Sequence, residues 1–553
     1  MSCIRLKKFV MSKRISAFYL ILFFVSCICV ALQIFGNGLY MTHDGVNHVA
    51  RFSAYIRAFH EFHIPPRWAG YLNYSYGTPV FNFFYPLPGY IAFLLSGIIN
   101  NPETIFKVIS FAAFIFAPIT FYSWIKEFVQ KPYAVAVSGM YGLSLYHVAN
   151  LLVRGDVAEL VSILFIPLVL LCIDQKKYSL HTVVFGGISY ALTILSHNGI
   201  SLLFTPVIAI YMALRFFESR KLQRALSYIG MLSVGLSLSA FFWIPALFEK
   251  KYTNIALFTG DFYSGNFLNG FAAFVAPWGF GPDVNAPGGF APQLGIIPVI
   301  LCTIVIFRLI YIKKMHNEVL FWIAVLLFST IMTMPISQII WKQSPFLKII
   351  QFPWRFIAIA NFALFAAISV GLKYLKPTSY GIPMLLLSIT LVCTLPYIHV
   401  AGYEKRPATF YTNFPNTTYF HGEATTVWST GDFAAYPAAP VEVVSGIATV
   451  SGYVKSNASH TYTVNADTTA DIVDNTLYYP GWQVRDIGIK LPIEFQNQHH
   501  RGLITYKIPK GSHEIVVSFH ETPLRLASDL ISGIMCTAVI AYMTLKLLRH
   551  ANT

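Results

Sequence analysis

The sequence predicts a polytopic α-helical membrane protein that also carries an extracytoplasmic β-sandwich-like domain. Three observations predict it. The 553-residue chain is 56% hydrophobic and only 11% charged, where soluble domains carry about 25% charged residues. Apolar runs of about 17 to 22 residues recur, long enough for a ~30 Å hydrocarbon core. Residues 401–525 instead alternate apolar and polar residues in short runs broken by Gly, Pro and Asn, as half-buried strands do.

In order, spans are expected near 16–37, 104–125, 133–151, 157–174, 180–196, 200–217, 226–247, 292–312, 318–336, 355–372, 380–400 and 526–547. The first run follows Arg5, Lys7, Lys8, Lys13 and Arg14 and shows no small-x-small cleavage site before Tyr40, so it reads as an uncleaved helix. With the N-terminus inside, Lys126/Lys131, Lys176/Lys177, Arg220/Lys221/Arg224, Lys313/Lys314, Lys373/Lys376 and Lys546/Arg549 all fall on the cytoplasmic side. That holds only if "PLPGYIAFLLSGII" at 86–99 dips into the outer leaflet without crossing. The result is about twelve spans in a cell membrane, multi-pass, with both termini cytoplasmic. Residues 1–400 form the multi-span part with a first outer loop at 38–103; 401–525 is the extracytoplasmic β-rich domain; 526–553 holds the last span and a cytoplasmic tail. A further outer segment spans 248–291, and the apolar 337–354 re-enters.

The net charge of +15 does not signal nucleic acid, because the basic residues sit in short clusters between apolar runs. None of the seven cysteines has a CxxC or Cys/His spacing, which excludes a zinc module or disulfide framework. In 401–525, "LITYKIP" places Ile504, Tyr506 and Ile508 on one face, and the chain turns at Pro509–Gly511. Asn73, Asn416 and Asn457 each open an N-x-S/T glycosylation sequon.

Several polar groups share the predicted outer side. His43-Asp44 opens the first outer loop, and a helix over 44–62 would line up Asp44, His48, Arg51 and Tyr55 on one stripe. Arg67 follows in the same loop. "RGDVAE" brings Arg154, Asp156 and Glu159; "SHNG" brings His197 and Asn198; "FPWRF" brings Trp354 and Arg355. Ionisable groups beside spans are costly and so mark candidate sites. Plainer readings stand beside this one. Asp44 suits a helix N-cap as well as catalysis. Arg154 and Glu159 suit an ion pair that anchors a helix end. Arg355 beside Trp354 suits an interface anchor. Arg57 and Glu61 read as a surface i,i+4 pair. Two histidines five apart, His43 and His48, are not a standard metal spacing.

This layout resembles the GT-C glycosyltransferases, with an acidic residue after the first span, a long first outer loop and a terminal outer β-domain. More closely, "HDGVNHVARFSAYIRAF", "PPRWAGYLNYSYGTPVFNFFYPLPGY", "RGDVAE", "SHNG", "FPWRF" and "YYPGW…PKGSHEIVVSF" resemble prokaryotic membrane proteins labelled 6-pyruvoyl-tetrahydropterin synthase-related. The resemblance covers nearly the whole chain. It implies a transferase that takes a sugar from a polyprenyl-phosphate-linked donor, acts outside the cytoplasm, and uses Asp44 as base or metal ligand. The family often has two acids there; here the neighbour is His43. No cofactor is certain on this reading, though a divalent metal is compatible with it.

The chemistry is consistent with that expectation. A carboxylate such as Asp44, flanked by His43, can deprotonate an acceptor. A guanidinium from Arg51, Arg67, Arg154 or Arg355 can meet a leaving phosphate, with His48, Glu159, His197 and Asn198 completing the binding set. The acceptor is a glycan, lipid or protein, and membrane lipids surround the spans. Tyr478, Tyr479 and Trp482 suit either glycan stacking or core packing. A glycolipid carrier or flippase, or a non-catalytic envelope-assembly protein, remains the alternative.

Overall fold

A computed structural model describes residues 25–255, 260–377, 379, 381–418, 422–429 and 433–551. Residues 16–24 of the first expected span, and the basic residues before them, lie outside this set. Among the described residues, five helices are long and apolar enough to cross a membrane, or up to seven if each of two bent helix pairs is one span. Shorter apolar helices of 10–17 residues accompany them. The chain divides into two compact units.

The first unit comprises 1–46, 106–236 and 259–405. Its central helix is Phe356–Leu375, in which every residue from Phe356 to Leu372 is buried. An all-round apolar helix belongs in an interior, and this one packs against Asn317–Met332 and Ile296–Tyr311. Aromatic rings fill the space beside it: Phe121 meets Tyr141 at 4.4 Å, and Trp124 stacks on Phe362 at 5.8 Å. Small residues let other helices close up. A Cβ on Gly187 would lie 2.6 Å from the Val234 side chain, and one on Gly371 2.3 Å from Val305, so the helix pairs depend on glycine at these positions. The helix Asn317–Met332 is followed after a sharp bend of 88° by Pro335–Gln343, which overlaps the start of the segment 337–354 expected to re-enter. Two short strands, β1 (Leu39–Tyr40) and β2 (Tyr403–Glu404), pair antiparallel.

Charged groups in this unit cluster at helix ends. Asp174 follows the helix Val157–Ile173, Glu318 lies in the first turn of Asn317–Met332, and Lys373 in the last turn of Phe356–Leu375. Lys373 Nζ bonds Glu318 Oε2 at 2.6 Å, and Arg215 Nε lies 3.0 Å from Asp174 Oδ1.

The second unit comprises 47–105, 237–258 and 406–553. Eight further strands build its β-rich part: β3 (Val441–Ser445), β4 (Ala448–Ser456), β5 (Ser459–Ala466), β6 (Ala470–Leu477), β7 (Trp482–Asp486), β8 (Ile489–Leu491), β9 (Leu503–Ile508) and β10 (Gly511–Phe519). They form one sheet in the order β4-β5-β10-β7-β8 and another in the order β3-β6-β9. Both sheets are antiparallel and feed one core. Ile504, Tyr506 and Ile508 are buried in it together, as their alternation predicts. The turn at Pro509–Lys510 carries the chain from one sheet to the other, so β9 pairs with β6 while β10 pairs with β5 and β7.

Residues from the loop that follows Tyr40, expected on the outer side, complete that core. Trp68 is fully buried against Trp482 and Phe519. Asn457 ties the same loop to the β-part. Its side chain accepts from Gly70 N–H at 2.9 Å, lies 2.9 Å from His63 Nδ1 and donates to the Trp68 carbonyl. Asn457 and Asn73 are each 1% exposed, so those two sequons are inaccessible in the folded chain; Asn416 is exposed. Tyr479 and Trp482 are core residues, and Tyr478 stacks on Phe495 at 3.8 Å, so packing accounts for all three.

His63 gives this unit a pH dependence. Burial, with repulsion from Arg67 and Arg525, pushes its imidazole down from 6.5 to about 4. Between those values the unfolded chain takes up a proton that the folded chain refuses, so stability falls as pH drops from about 6.5 towards about 4. Thermal unfolding midpoints measured across that window are expected to decline, and His63→Gln to flatten the decline.

Candidate functional site

The site in the first unit begins with a backbone strap. His43 N–H donates to the Val153 carbonyl at 3.0 Å, and Asp44 N–H to the Arg154 carbonyl at 2.8 Å. The segment Asn150–Arg154 is a single π-helical turn, a form frequent at functional sites. Gly155 closes it with φ +68°. A Cβ there would lie 2.3 Å from Thr42 Oγ1, so both the left-handed backbone and the close approach require glycine. Thr42 Oγ1 in turn accepts Gly45 N–H at 3.1 Å, and the helix Gly45–His60 starts there.

Asp44 therefore precedes the helix and stands outside the stripe expected of 44–62. Its carboxylate is half-buried and makes no side-chain hydrogen bond among the described residues, while its charge acts on Arg154. His48, Arg51 and Tyr55 do share one buried face.

Arg154 is the hub. It is 4% exposed and donates to Asp156 Oδ2 at 2.9 Å, Glu159 Oε2 at 2.7 Å and Asn150 Oδ1 at 2.7 Å. Three of its five N–H donors are thus committed. Its planar cation also lies 4.8 Å from the Trp354 ring centre, a favourable contact. Asp156 caps the helix Val157–Ile173 by accepting Glu159 N–H at 3.0 Å. Glu159 also accepts from the Tyr146 hydroxyl. His197 caps the next helix but one, Asn198–Ser219, through Nδ1, which accepts Ile200 N–H at 3.1 Å; its Nε2 lies 3.4 Å from Asp156 Oδ2. Aromatic contacts close a circuit back to the strap. Trp354 meets Phe290 at 5.2 Å, Phe290 meets His43 at 5.8 Å, and His43 Nε2 lies 2.9 Å from the Phe280 carbonyl.

The structure thus gathers His43, Asp44, Arg154, Glu159 and His197, with Asn198 exposed on the first turn after His197. Arg355 donates to the Ile350 carbonyl at 2.7 Å and lies over Phe352, while its neighbour Trp354 faces Arg154. His48, Arg51 and Arg67 belong to the second unit. His48 packs against Phe84 at 5.7 Å. Arg51 donates to Thr418 Oγ1 at 2.9 Å and to the Thr418 carbonyl, and lies over Phe84. Arg67 pairs with Glu521 at 3.3 Å and Asp529 at 2.5 Å.

Asn150 and Tyr146 join the site without having been singled out in the sequence, and Asp156, named there only as part of "RGDVAE", joins as a partner of Arg154. The Asp156-x-x-Glu159 spacing is a helix-start signature, and Asn150 and Tyr146 lie four and eight residues before Arg154. Asp156, Glu159 and His197 offer ligand atoms within 4.8 Å of one another, a donor set of the type that holds a divalent metal ion.

No family model matches the chain, and no curated protein matches it. Solved structures similar to it include an Archaeoglobus fulgidus oligosaccharyltransferase in complex with Zn and sulfate (15% identity, TM-score 0.37, 70% of this chain and 54% of that one). The arabinofuranosyltransferase AftD from Mycobacteria is similar at 12% identity and TM-score 0.40, over 72% of this chain and 27% of that one. The oligosaccharyltransferase AglB from Archaeoglobus fulgidus, in complex with an inhibitory peptide and a dolichol-phosphate, is similar at 14% identity and TM-score 0.37, over 70% and 56%. The chain therefore spans about half or less of these relatives' length.

Proposed function

We propose that this protein is a membrane glycosyltransferase that moves a sugar from a polyprenyl-phosphate-linked donor to an acceptor at the outer face of the membrane, with Asp44 as general base. The observation that carries this reading is the Asp44 carboxylate: half-buried, without a side-chain hydrogen bond among the described residues, and strapped by its own backbone to Arg154. In the reaction Asp44 takes the acceptor proton as the acceptor attacks the sugar carbon. The bond from that carbon to the phosphate oxygen breaks, and the polyprenyl phosphate leaves with the electron pair. Arg154, held in place by Asp156, Glu159 and Asn150, offers its uncommitted N–H donors beside the reacting groups. His43, beside Asp44, is held by the Phe280 carbonyl and the Phe290 ring. A divalent ion, if bound by Asp156, Glu159 and His197, would add Lewis acidity there.

The reading includes the membrane arrangement. Twelve spans arise if the five long helices, the two bent pairs, the helices Val157–Ile173, Leu180–Ser196, Ile296–Tyr311 and Gly381–Tyr397, and the first expected span at 16–37, of which Val25–Ile34 is the described part, all cross. Ten residues of helix reach about 15 Å, half a hydrocarbon core, so Leu87–Ser96 stays in the outer leaflet. Both termini are then cytoplasmic and 401–525 lies outside. A carrier or flippase is less favoured, because the charged clusters at Asp174, Glu318 and Lys373 sit at helix ends rather than along a path through mid-membrane.

Mass spectrometry of envelope glycans and lipid-linked sugars, with and without the active protein, tests the reaction. Loss of the protein is expected to leave a polyprenyl-linked sugar accumulated and its product missing. Unchanged pools of both, with intact glycolipid flux, would remove the transferase reading.

A further inference from the structure

We propose that Arg154 and a divalent metal ion compete for the Asp156 and Glu159 carboxylates, so that an ion enters only when the guanidinium withdraws. This concerns binding alone and does not depend on the transfer reaction.

Its ground is how completely the donors are already used. Arg154 takes Asp156 Oδ2 with one nitrogen and Glu159 Oε2 with the other. The remaining oxygens are engaged too: Asp156 Oδ1 accepts the Glu159 N–H, and Glu159 Oε1 accepts the Tyr146 hydroxyl. An ion ligated by both carboxylates needs oxygen lone pairs at about 2.0 to 2.5 Å. The guanidinium holds one oxygen of each carboxylate, and one lone pair cannot serve both cations at full strength.

His197 adds a second condition. Its Nδ1 accepts the Ile200 N–H, so the neutral ring carries its proton on Nε2, the nitrogen that faces Asp156. A metal ligand must present a bare nitrogen. Ligation through Nε2 therefore requires that proton to move to Nδ1, and the helix cap at Ile200 to break with it.

Asn150 is fully buried, its Oδ1 holds Arg154, and its Nδ2 has no hydrogen-bond partner among the described residues. Arg154 is thus a resident cation that neutralises the carboxylates while no metal is bound.

Mn²⁺ titration of the purified full-length protein, followed by the electron paramagnetic resonance signal of the free ion, tests this. Arg154→Gln is expected to bind a single ion at least about tenfold tighter than wild type, and adding Glu159→Gln to remove that ion. Arg154→Lys keeps the charge but loses the planar fork; it is expected to fold and also to bind Mn²⁺ more tightly than wild type, which covers the case in which Arg154→Gln does not fold. Equal affinity in wild type and the folded variants, or no binding by any of them, overturns the proposal.

Discussion

Asp44→Asn is expected to lower sugar transfer by about 10² to 10⁴-fold, the usual contribution of a positioned proton acceptor, while leaving the fold intact. The two halves of this expectation have separate grounds. The amide keeps the backbone strap to Arg154 but cannot accept a proton at neutral pH. The carboxylate holds no side-chain hydrogen bond among the described residues, so its replacement opens no buried polar gap. Transfer from a polyprenyl-phosphate sugar, measured with detergent-solubilised protein whose unfolding midpoint matches wild type, checks it. Full activity in a folded Asp44→Asn protein would remove Asp44 from the reaction.

Arg525→Ala is expected to cost about 3 to 5 kcal/mol of stability in the second unit, the range for stripping one partner from a buried ion pair. Arg525 is fully buried and lies 3.0 Å from both oxygens of Glu249. Glu249 is itself buried and also accepts from Asn82 at 2.9 Å, Tyr479 at 3.0 Å and Thr522 at 3.2 Å. One carboxylate thereby joins the helix Ala240–Glu249, the helix Val80–Phe83, the loop after β6 and the start of the helix Pro523–Ala551. Without the guanidinium the buried charge at this junction is left uncompensated, with only the Asn82, Tyr479 and Thr522 hydrogen bonds to offset its desolvation. Chemical unfolding in detergent, compared with Lys507→Ala, gives the measurement. Lys507 pairs with Asp471 on the surface at 3.4 Å, and its loss is expected to cost at most about 1 kcal/mol. Equal effects of the two substitutions would show that burial does not set the strength of the Glu249 tie.

Much of the architecture was legible in the chain because membrane segments and strands have local signatures. Length and hydropathy are properties of contiguous residues, so the positions of the apolar helices follow from them. Alternation told which residues of β9 face inward, since the side-chain period of a strand is fixed at two. The candidate site was legible in part for a related reason. Arg154, Asp156 and Glu159 lie within six residues, and ionisable groups stand out against an apolar background. Asn150 and Tyr146 carry no such contrast, and they enter the site only because the π-turn sets Asn150 against the Arg154 guanidinium and the following helix brings Glu159 back to the Tyr146 hydroxyl.

Arg51 and Arg67 show the limit. In sequence they are two more arginines in the loop expected on the outer side, chemically equal to Arg154. Their partners lie some 370 to 470 residues away, at Thr418, Glu521 and Asp529, and no local pattern announces a pairing at that separation. The sequons at Asn73 and Asn457 fail for the same reason, since burial is a property of the packed chain.

By itself the sequence determined which stretches are apolar helices, that a strand-forming segment lies in the C-terminal third, and that Asp44 and the Arg154–Glu159 cluster carry chargeable groups. Only the tertiary structure decided that residues 47–105 and 237–258 pack with 406–553, that Arg67 and Arg525 are bound to carboxylates, and that Asp44 is strapped to Arg154. The physical reason is that secondary structure follows from neighbouring residues, whereas a buried charge takes whichever distant partner offsets its desolvation.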